Sequence, residues 1–299
     1  MTAADAGGRA AGSAAYAHSL VLVTGGARGI GRHLAEGFVR AGYPVLLTAR
    51  GEESAQRAAG EIAAAAGAGA SAPVLSPRVR GTALDQTDPA SVAALAETVE
   101  ALGREWDAPL CVLVNNAGIV EKAEGPVWEI DAEDMAAVLE TNLVGAFRVT
   151  RALLPGLLAT AESSGAPVRI IDLNSGSGAQ GTSAHAAYSA SKAGLFRLAQ
   201  SLVDYGHERG LRVFEMAPGV IESDMTKSMP MHDHRTAADW TDPADVVELA
   251  LTLASGELDA WTGRFVRAGR DTPAALREAA SGLIPGDLSD GTRVLTVPM

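Results

Sequence analysis

The stretch "SLVLVTGGARGIGRHLAEGFVRAG", residues 19–42, decides the fold. Its first part is apolar at successive rather than alternate positions, the pattern of a strand covered on both faces in a parallel sheet. Its last part, "RHLAEGFVRAG", spaces apolar residues as an amphipathic helix does. Between them lies "TGGARGIG", residues 24–31, where Gly25, Gly29 and Gly31 stand in the spacing G-x-x-x-G-x-G. Residues this small let a backbone turn approach a pyrophosphate while the amides of the helix N-terminus point at it. A glycine-rich turn with no ligand is the competing reading; a strand before it and a helix after it weigh against that.

The same alternation continues along the chain. "YPVLLTA", "LCVLVNNAG", "VRIIDLNS", "LRVFEMAPG" and "GRFVRAG" read as further strands separated by longer Ala-rich helical stretches. One more strand is expected at Val79 to Leu84, where Pro and Gly nearby weaken the signal. Strands alternating with helices imply an α/β protein with a doubly wound sheet. No internal repeat is present, and no linker divides residues 19–268. Residues 1–18 read as a flexible leader, and residues 269–299 as an extension with a short helix, a Pro/Gly turn and an extended end.

The chain's 299 residues, 47% of them hydrophobic, suffice for a substantial core, and the low aromatic content of 4% beside abundant Ala and Gly suits close helix-on-sheet packing. With 24 basic and 36 acidic residues the formal charge is −12, and no basic run offsets it, so no nucleic-acid partner is expected. The only cysteine, Cys111, lies in the apolar run "LCVLV" and reads as a small buried hydrophobe. A single thiol forms no internal disulfide, which fits a reducing cytoplasm. No apolar stretch approaches the roughly 20 residues of a membrane span, and the N-terminus lacks the apolar core of a signal peptide. The expectation is a cytoplasmic protein with no membrane partner.

About twenty residues beyond the glycine turn, where an NAD site carries an acid for the ribose 2'-hydroxyl, the chain has Ala49 followed by Arg50. Arg28 in the turn and Arg50 could together pair with a 2'-phosphate, which points to NADP(H), although either arginine alone would pass as a solvated surface residue. Asp85, in "ALDQTD", stands where a carboxylate could meet the adenine amino group. Further on, "AAYSASKAG" at 186–194 places Tyr188 and Lys192 one helical turn apart among residues too small to cover them. Taken alone, that pair is a common accident of spacing.

With these motifs in hand, the chain resembles the short-chain dehydrogenase/reductase family, especially its 3-oxoacyl-carrier-protein reductase-like members. "TGGARGIG", "NNAG" at 115–118, Asn142 in "TNLVGAF", Ser175 in "NSGSGAQG", "YSASK" at 188–192 and "APGVIESDM" at 217–225 follow the family's order, and Tyr188 lies thirteen residues beyond Ser175. The resemblance covers about residues 19–268. It implies a single Rossmann-type domain of about seven parallel strands with helices on both faces, assembled as a homotetramer or dimer. It also implies that Tyr188 gives its phenolic proton to a substrate carbonyl as hydride arrives from the nicotinamide. A free phenol titrates near ~10, so Lys192 supplies a neighbouring positive charge. Ser175 positions the carbonyl oxygen, and Asn142 holds a water leading from Lys192 to solvent.

The cofactor residues implied are Gly25, Arg28, Gly29, Ile30 and Gly31 at the pyrophosphate, and Arg50 and Asp85 at the adenosine end. Asn115, Ala117 and Gly118 support the adenine ribose; Tyr188 and Lys192 hold the nicotinamide ribose; Pro218, Gly219, Ile221 and Ser223 meet the nicotinamide. Ser223 stands where the family more often has Thr. The activity expected is an NADPH-dependent ketoreductase, reversible as an alcohol dehydrogenase, acting on a small-molecule carbonyl or alcohol. A sugar or cyclitol dehydrogenase is the alternative. A non-catalytic dinucleotide sensor is disfavoured by the complete set Asn142, Ser175, Tyr188 and Lys192.

Residues 224–241 correspond to the family's variable substrate lid, with Met225, Met229, Met231 and Trp240 offering adaptable apolar contact. His232 and His234 read as part of a solvated loop rather than a metal site, since no further ligand cluster accompanies them. His185 suits either the pocket wall or an ordinary surface position. The tail "TRVLTVPM" is expected to pack on a neighbouring subunit near the lid.

Overall fold

The computed structural model describes residues 18–68, 77–227, 229–236 and 239–296. The expected leader up to residue 17, the end of the tail from 297 and the side chain of Met225 lie outside the described residues. In chain order the main elements are β1 (Leu20–Val23), α1 (Gly29–Arg40), β2 (Val45–Ala49), α2 (Glu52–Ala68), β3 (Val79–Ala83), α3 (Pro89–Trp106) and β4 (Leu110–Asn115). There follow α4 (Ala132–Leu139), α5 (Ala146–Ser164), β5 (Val168–Leu173), α6 (Gly176–Gln180), α7 (Ala186–Gly206) and β6 (Leu211–Ala217). The chain closes with α8 (Asp224–Lys227), α9 (Pro243–Ser255), β7 (Phe265–Arg267) and α10 (Pro273–Ala279).

All seven strands expected from the sequence form one sheet in the order β3-β2-β1-β4-β5-β6-β7, with every pairing parallel. Gly81 explains the weak signal of β3. A Cβ there would lie 2.1 Å from the carbonyl oxygen of Ala55, so only glycine lets α2 pack onto this strand.

Successive strand residues face opposite sides of a sheet, and here they fill two separate cores. Val21, Val23, Leu47, Val114 and Phe214 pack with α1, α9 and Trp261 on one face. Leu20, Leu22, Leu46, Leu113 and Val213 pack with α3, α5 and α7 on the other. Strand order reverses between β1 and β4, and a doubly wound sheet binds its ligand in the crevice beyond the carboxyl ends at such a point. The motifs that follow these two strands therefore flank one crevice.

The helices α4 and α5 form a continuous run, Ala132–Ser164, joined by a π-helical turn, Glu140–Gly145. Within this run an 18-residue window has a mean hydropathy of 1.3, so by length and composition alone it is long and apolar enough to cross a membrane, which corrects the expectation that no segment approaches a span. Here its apolar residues Val149, Leu153, Leu157 and Ala161 are packed against the sheet.

Residues 284–296 of the tail are fastened to their own chain. Arg264, with no exposed surface, donates from Nη1 to Asp290 Oδ1 (2.7 Å) and Thr292 O (2.6 Å), and from Nη2 to Asp290 Oδ2 (3.0 Å) and Asp287 O (2.6 Å). Phe265 N donates to Arg293 O at 3.0 Å, and Arg293 pairs with Asp271 and lies 5.2 Å from the Trp261 ring. Truncation would strip a buried guanidinium of its acceptors, so deleting residues 284–299 is expected to lower the melting temperature by roughly 5 °C or more. Calorimetry on the truncated chain checks this; an unchanged melting temperature would make the tail a passive extension.

Candidate active site

The glycine turn is shaped by its neighbours as well as by its own residues. Thr24 Oγ1 accepts the backbone amides of Asn116 and Ala117, both at 3.0 Å, and Asn116 Nδ2 donates to Thr24 O (2.8 Å) and Gly25 O (3.1 Å). A Cβ on Gly31 would lie 2.4 Å from both Asn116 Nδ2 and Gly25 O, so the packing itself requires glycine. Gly25 and Gly29 have positive φ, and a Cβ on Gly29 would meet nothing within 4 Å. Open space in front of a helix whose N-cap, Arg28, makes no side-chain cap bond is a cradle that fits a pyrophosphate.

Asn115, the first residue of "NNAG", is turned into the sheet rather than toward the crevice. Its Nδ2 donates to Asp172 Oδ1 (2.7 Å) and Thr150 Oγ1 (3.0 Å). The support of the turn comes from Asn116, which the sequence reading passed over although it sits in the same motif. At the adenosine end, Arg50 follows β2 on the surface, and Asp85 accepts from Thr87 N (2.9 Å) and Thr87 Oγ1 (2.7 Å). The bonds from Thr87 and the charge of Arg50 hold the Asp85 carboxyl below its ordinary range. At the nicotinamide end, Ile221 O accepts from Thr226 Oγ1 at 2.6 Å and Ser223 N donates to Thr226 Oγ1 at 2.9 Å, so Thr226 closes the turn after β6 that begins with Pro218 and Gly219.

The residues expected to do chemistry converge at the carboxyl ends of β4 and β5. Ser175 caps α6: its Oγ accepts from Ser177 N (3.2 Å) and Ser177 Oγ (2.8 Å), leaving its own proton to donate. The Ser175 hydroxyl bonds the Tyr188 phenol and lowers its pKa, but burial is the larger effect and the nearby Glu121 charge adds to it, so the phenol titrates above its usual value. The proton therefore stays on Tyr188 at neutral pH. Lys192 Nζ lies 5.6 Å from the centre of the Tyr188 ring and donates to Leu173 O at 2.6 Å. Burial lowers its pKa to about 8, against the opposing pull of Glu215 and Asp172.

Asn142 lies in the π-helical turn, a distortion common at functional sites. Its Nδ2 donates to Ile119 O (2.8 Å) and Ser191 Oγ (3.1 Å), and its Oδ1 accepts from Ile119 N (2.8 Å). It thus joins the loop after β4 to α7. Glu121, another residue the sequence reading missed, accepts from Ala187 N (2.6 Å) and Tyr188 N (3.2 Å), an anion at the N-terminus of the helix that carries Tyr188.

His185 is in the pocket wall, only 2% exposed, with its ring nitrogens 3.6 Å from Glu121 Oε2 and 3.4 Å from Glu124 Oε1. Glu124 reaches the lid, accepting from Met231 N at 3.0 Å. These side chains, with Val120, Met229 and Pro230, line a cavity of about 650 Å³. Within the lid, Arg235 Nε donates to His232 Nδ1 at 3.2 Å and its guanidinium lies 5.7 Å from the Trp240 ring.

The family model described as short chain dehydrogenase matches residues 19–233. The chain is 34% identical over 210 residues to the 3-oxoacyl-acyl-carrier-protein reductase FabG of Escherichia coli, covering 70% of this chain and 76% of that one. Among solved structures, the RhlG/NADP active-site complex of Pseudomonas aeruginosa matches with a TM-score of 0.70 at 27% identity, over 87% of this chain and 98% of that one. A variant of the actinorhodin polyketide ketoreductase with NADPH matches with a TM-score of 0.70 at 27% identity, over 83% and 95%. The chain belongs to the short-chain dehydrogenase/reductase family, NAD(P)-dependent oxidoreductases acting on CH-OH and carbonyl groups.

Proposed function

We propose that this protein is an NADPH-dependent ketoreductase in which Tyr188 is the general acid. One observation carries the reading: the Tyr188 phenol lies beside Ser175, with Lys192 Nζ 5.6 Å from its ring centre, at the crevice where the cofactor cradle opens. Bound NADPH supplies the hydride. Tyr188 delivers its proton to the carbonyl oxygen, and Ser175, already accepting from Ser177, donates its own hydrogen to fix that oxygen. The Lys192 ammonium stabilises the phenolate left behind. Arg28 and Arg50 bind the 2'-phosphate, a reading that also rests on the FabG likeness and on the NADP and NADPH in the two structural relatives.

The catalytic domain in this proposal is residues 19–268, with 224–241 as a lid over the cavity beside His185. Exposed Phe147 on α5 and Tyr205 on α7 suit these helices to pairing with a second copy, and the single thiol, Cys111, suits a cytoplasmic setting. A sugar or cyclitol substrate is the second reading, favoured by the polar wall of Glu121, Glu124 and His185. NADPH oxidation with a panel of β-keto thioesters, cyclic ketones and ketoses tests both; consumption with none of them would leave a dinucleotide-binding protein without this activity.

A pH dependence follows from Lys192. A lysine whose pKa is lowered to about 8 is charged below that pH and loses its charge above it. Reductive kcat is expected to be level at low pH and to fall about tenfold per unit above the lysine's pKa. A profile flat to about pH 10 would mean that the ammonium is not needed.

A further inference from the structure

Two buried acids take no part in the proton transfer described above. β5 and β6 read "VRIIDL" and "LRVFEMA", apolar toward their ends except for Asp172 and Glu215, which are direct partners in the parallel register. Asn115 on β4 is in turn the partner of Asp172. Strand alternation puts these three on the face where Ile170 and Val213 join the α5 and α7 core, so they form one polar row across three strands. Above that row lies the turn of α7 that holds Lys192. Asn174 is the crosspiece: its Nδ2 donates to Glu215 Oε2 and to Lys192 O (3.1 Å), and its Oδ1 accepts from Ser175 N (2.7 Å).

Glu215 is 0% exposed and Asp172 3%. Two carboxyl groups side by side in such a place cannot both ionise and must share a proton. Asn115 favours the charge on Asp172 and Asn174 that on Glu215, but burial holds the Glu215 carboxyl well above its ordinary range, so the shared proton is assigned to Glu215, where its O–H can bond Asp172. One negative charge remains. The charged and titratable groups facing Lys192 are Asp172 from β5, Glu215 from β6 and Tyr188 from its own helix; Glu121, from the loop after β4, acts on Tyr188.

We propose that Asp172 and Glu215 share one proton and together form the fixed counterion of Lys192, positioning residues that keep its ammonium charged and its helix turn seated beside Tyr188. The proposal rests on Lys192 serving Tyr188, yet the pair and the lysine can both be observed without turnover.

The chain has three lysines, and Lys122 and Lys227 are exposed, so carbon-13 labelling of the lysine side-chain ends gives a resolvable NMR titration of Lys192 in the apo protein. In Glu215→Gln an amide replaces the carboxyl O–H as donor, Asp172 keeps its charge, and the Lys192 midpoint stays in place. In Asp172→Asn/Glu215→Gln the charge is gone at nearly constant shape, and the midpoint is expected to fall by about one pH unit or more, with the alkaline limb of kcat moving alongside. Infrared spectra at neutral pH should show a protonated carboxyl in the wild type that Glu215→Gln loses. This arm needs only those two proteins, so it decides even if the double variant fails to fold. A wild type without that band, a midpoint unmoved in the double variant, or an equal shift in Glu215→Gln would each overturn the proposal. If the lysine moves and the kinetic limb does not, the counterion stands and the catalytic reading of Lys192 falls.

Discussion

Tyr188→Phe is expected to lower kcat by about 10²–10⁴-fold while leaving NADPH binding nearly intact. The phenylalanine ring preserves the packing of α7 and the face on which Lys192 lies, and removes only the hydroxyl that Ser175 bonds. The loss should therefore appear in turnover rather than in the dissociation constant. Titrating both proteins with NADPH by fluorescence, then comparing single-turnover rates, separates the two terms. A variant that keeps more than about a tenth of wild-type turnover while hydride transfer limits the rate would assign the acid to another group.

The cofactor end offers the second large effect. A 2'-phosphate brings about two negative charges to the end of β2, where Arg50 follows Ala49 and no acid occupies the expected place. A charge-assisted bond contributes roughly 1.5–3 kcal/mol, less where it is exposed, and Arg50 and Arg28 are both exposed. Asp85 also faces Arg50 and already meets part of its charge. The expected preference is NADPH over NADH by about 10- to 100-fold in kcat/KM. Ala49→Asp should weaken NADPH by repulsion and give NADH a hydroxyl partner, and Arg50→Ala should weaken NADPH with little effect on NADH. Equal use of both cofactors by the wild type, or NADPH kinetics insensitive to both changes, would remove the 2'-phosphate from the reading.

Much of this was legible in the sequence because it rests on local periodicity. Continuous apolar runs flanked by helical stretches marked the strands, and glycine spacing between a strand and a helix marked the cradle. What remained hidden depends on partners distant in the chain. Asn116 matters because its amide reaches the carbonyls of Thr24 and Gly25 across the crevice, and nothing near it in sequence says so. The Arg264 clamp joins the start of β7 to a tail more than twenty residues away, a contact within the chain that nothing near Arg264 in sequence announces. The acids of "IIDL" and "VFEM" did leave a sign, a single charge inside each apolar strand; that they sit side by side follows only from the register of β5 with β6. His185 was ambiguous for the same reason, since its burial is set by Glu121 and Glu124 from another loop.

The central claim is that hydride passes from NADPH to a ketone at this site. Incubating the protein with NADPH deuterated at the transferable position and a panel of ketones, then reading the alcohol products by mass spectrometry and NMR, tests it most directly. The account predicts one deuterium on the carbinol carbon for each NADPH consumed, with the rate of transfer collapsing in Tyr188→Phe. Tight NADPH binding with no deuterium delivered to any ketone would contradict it.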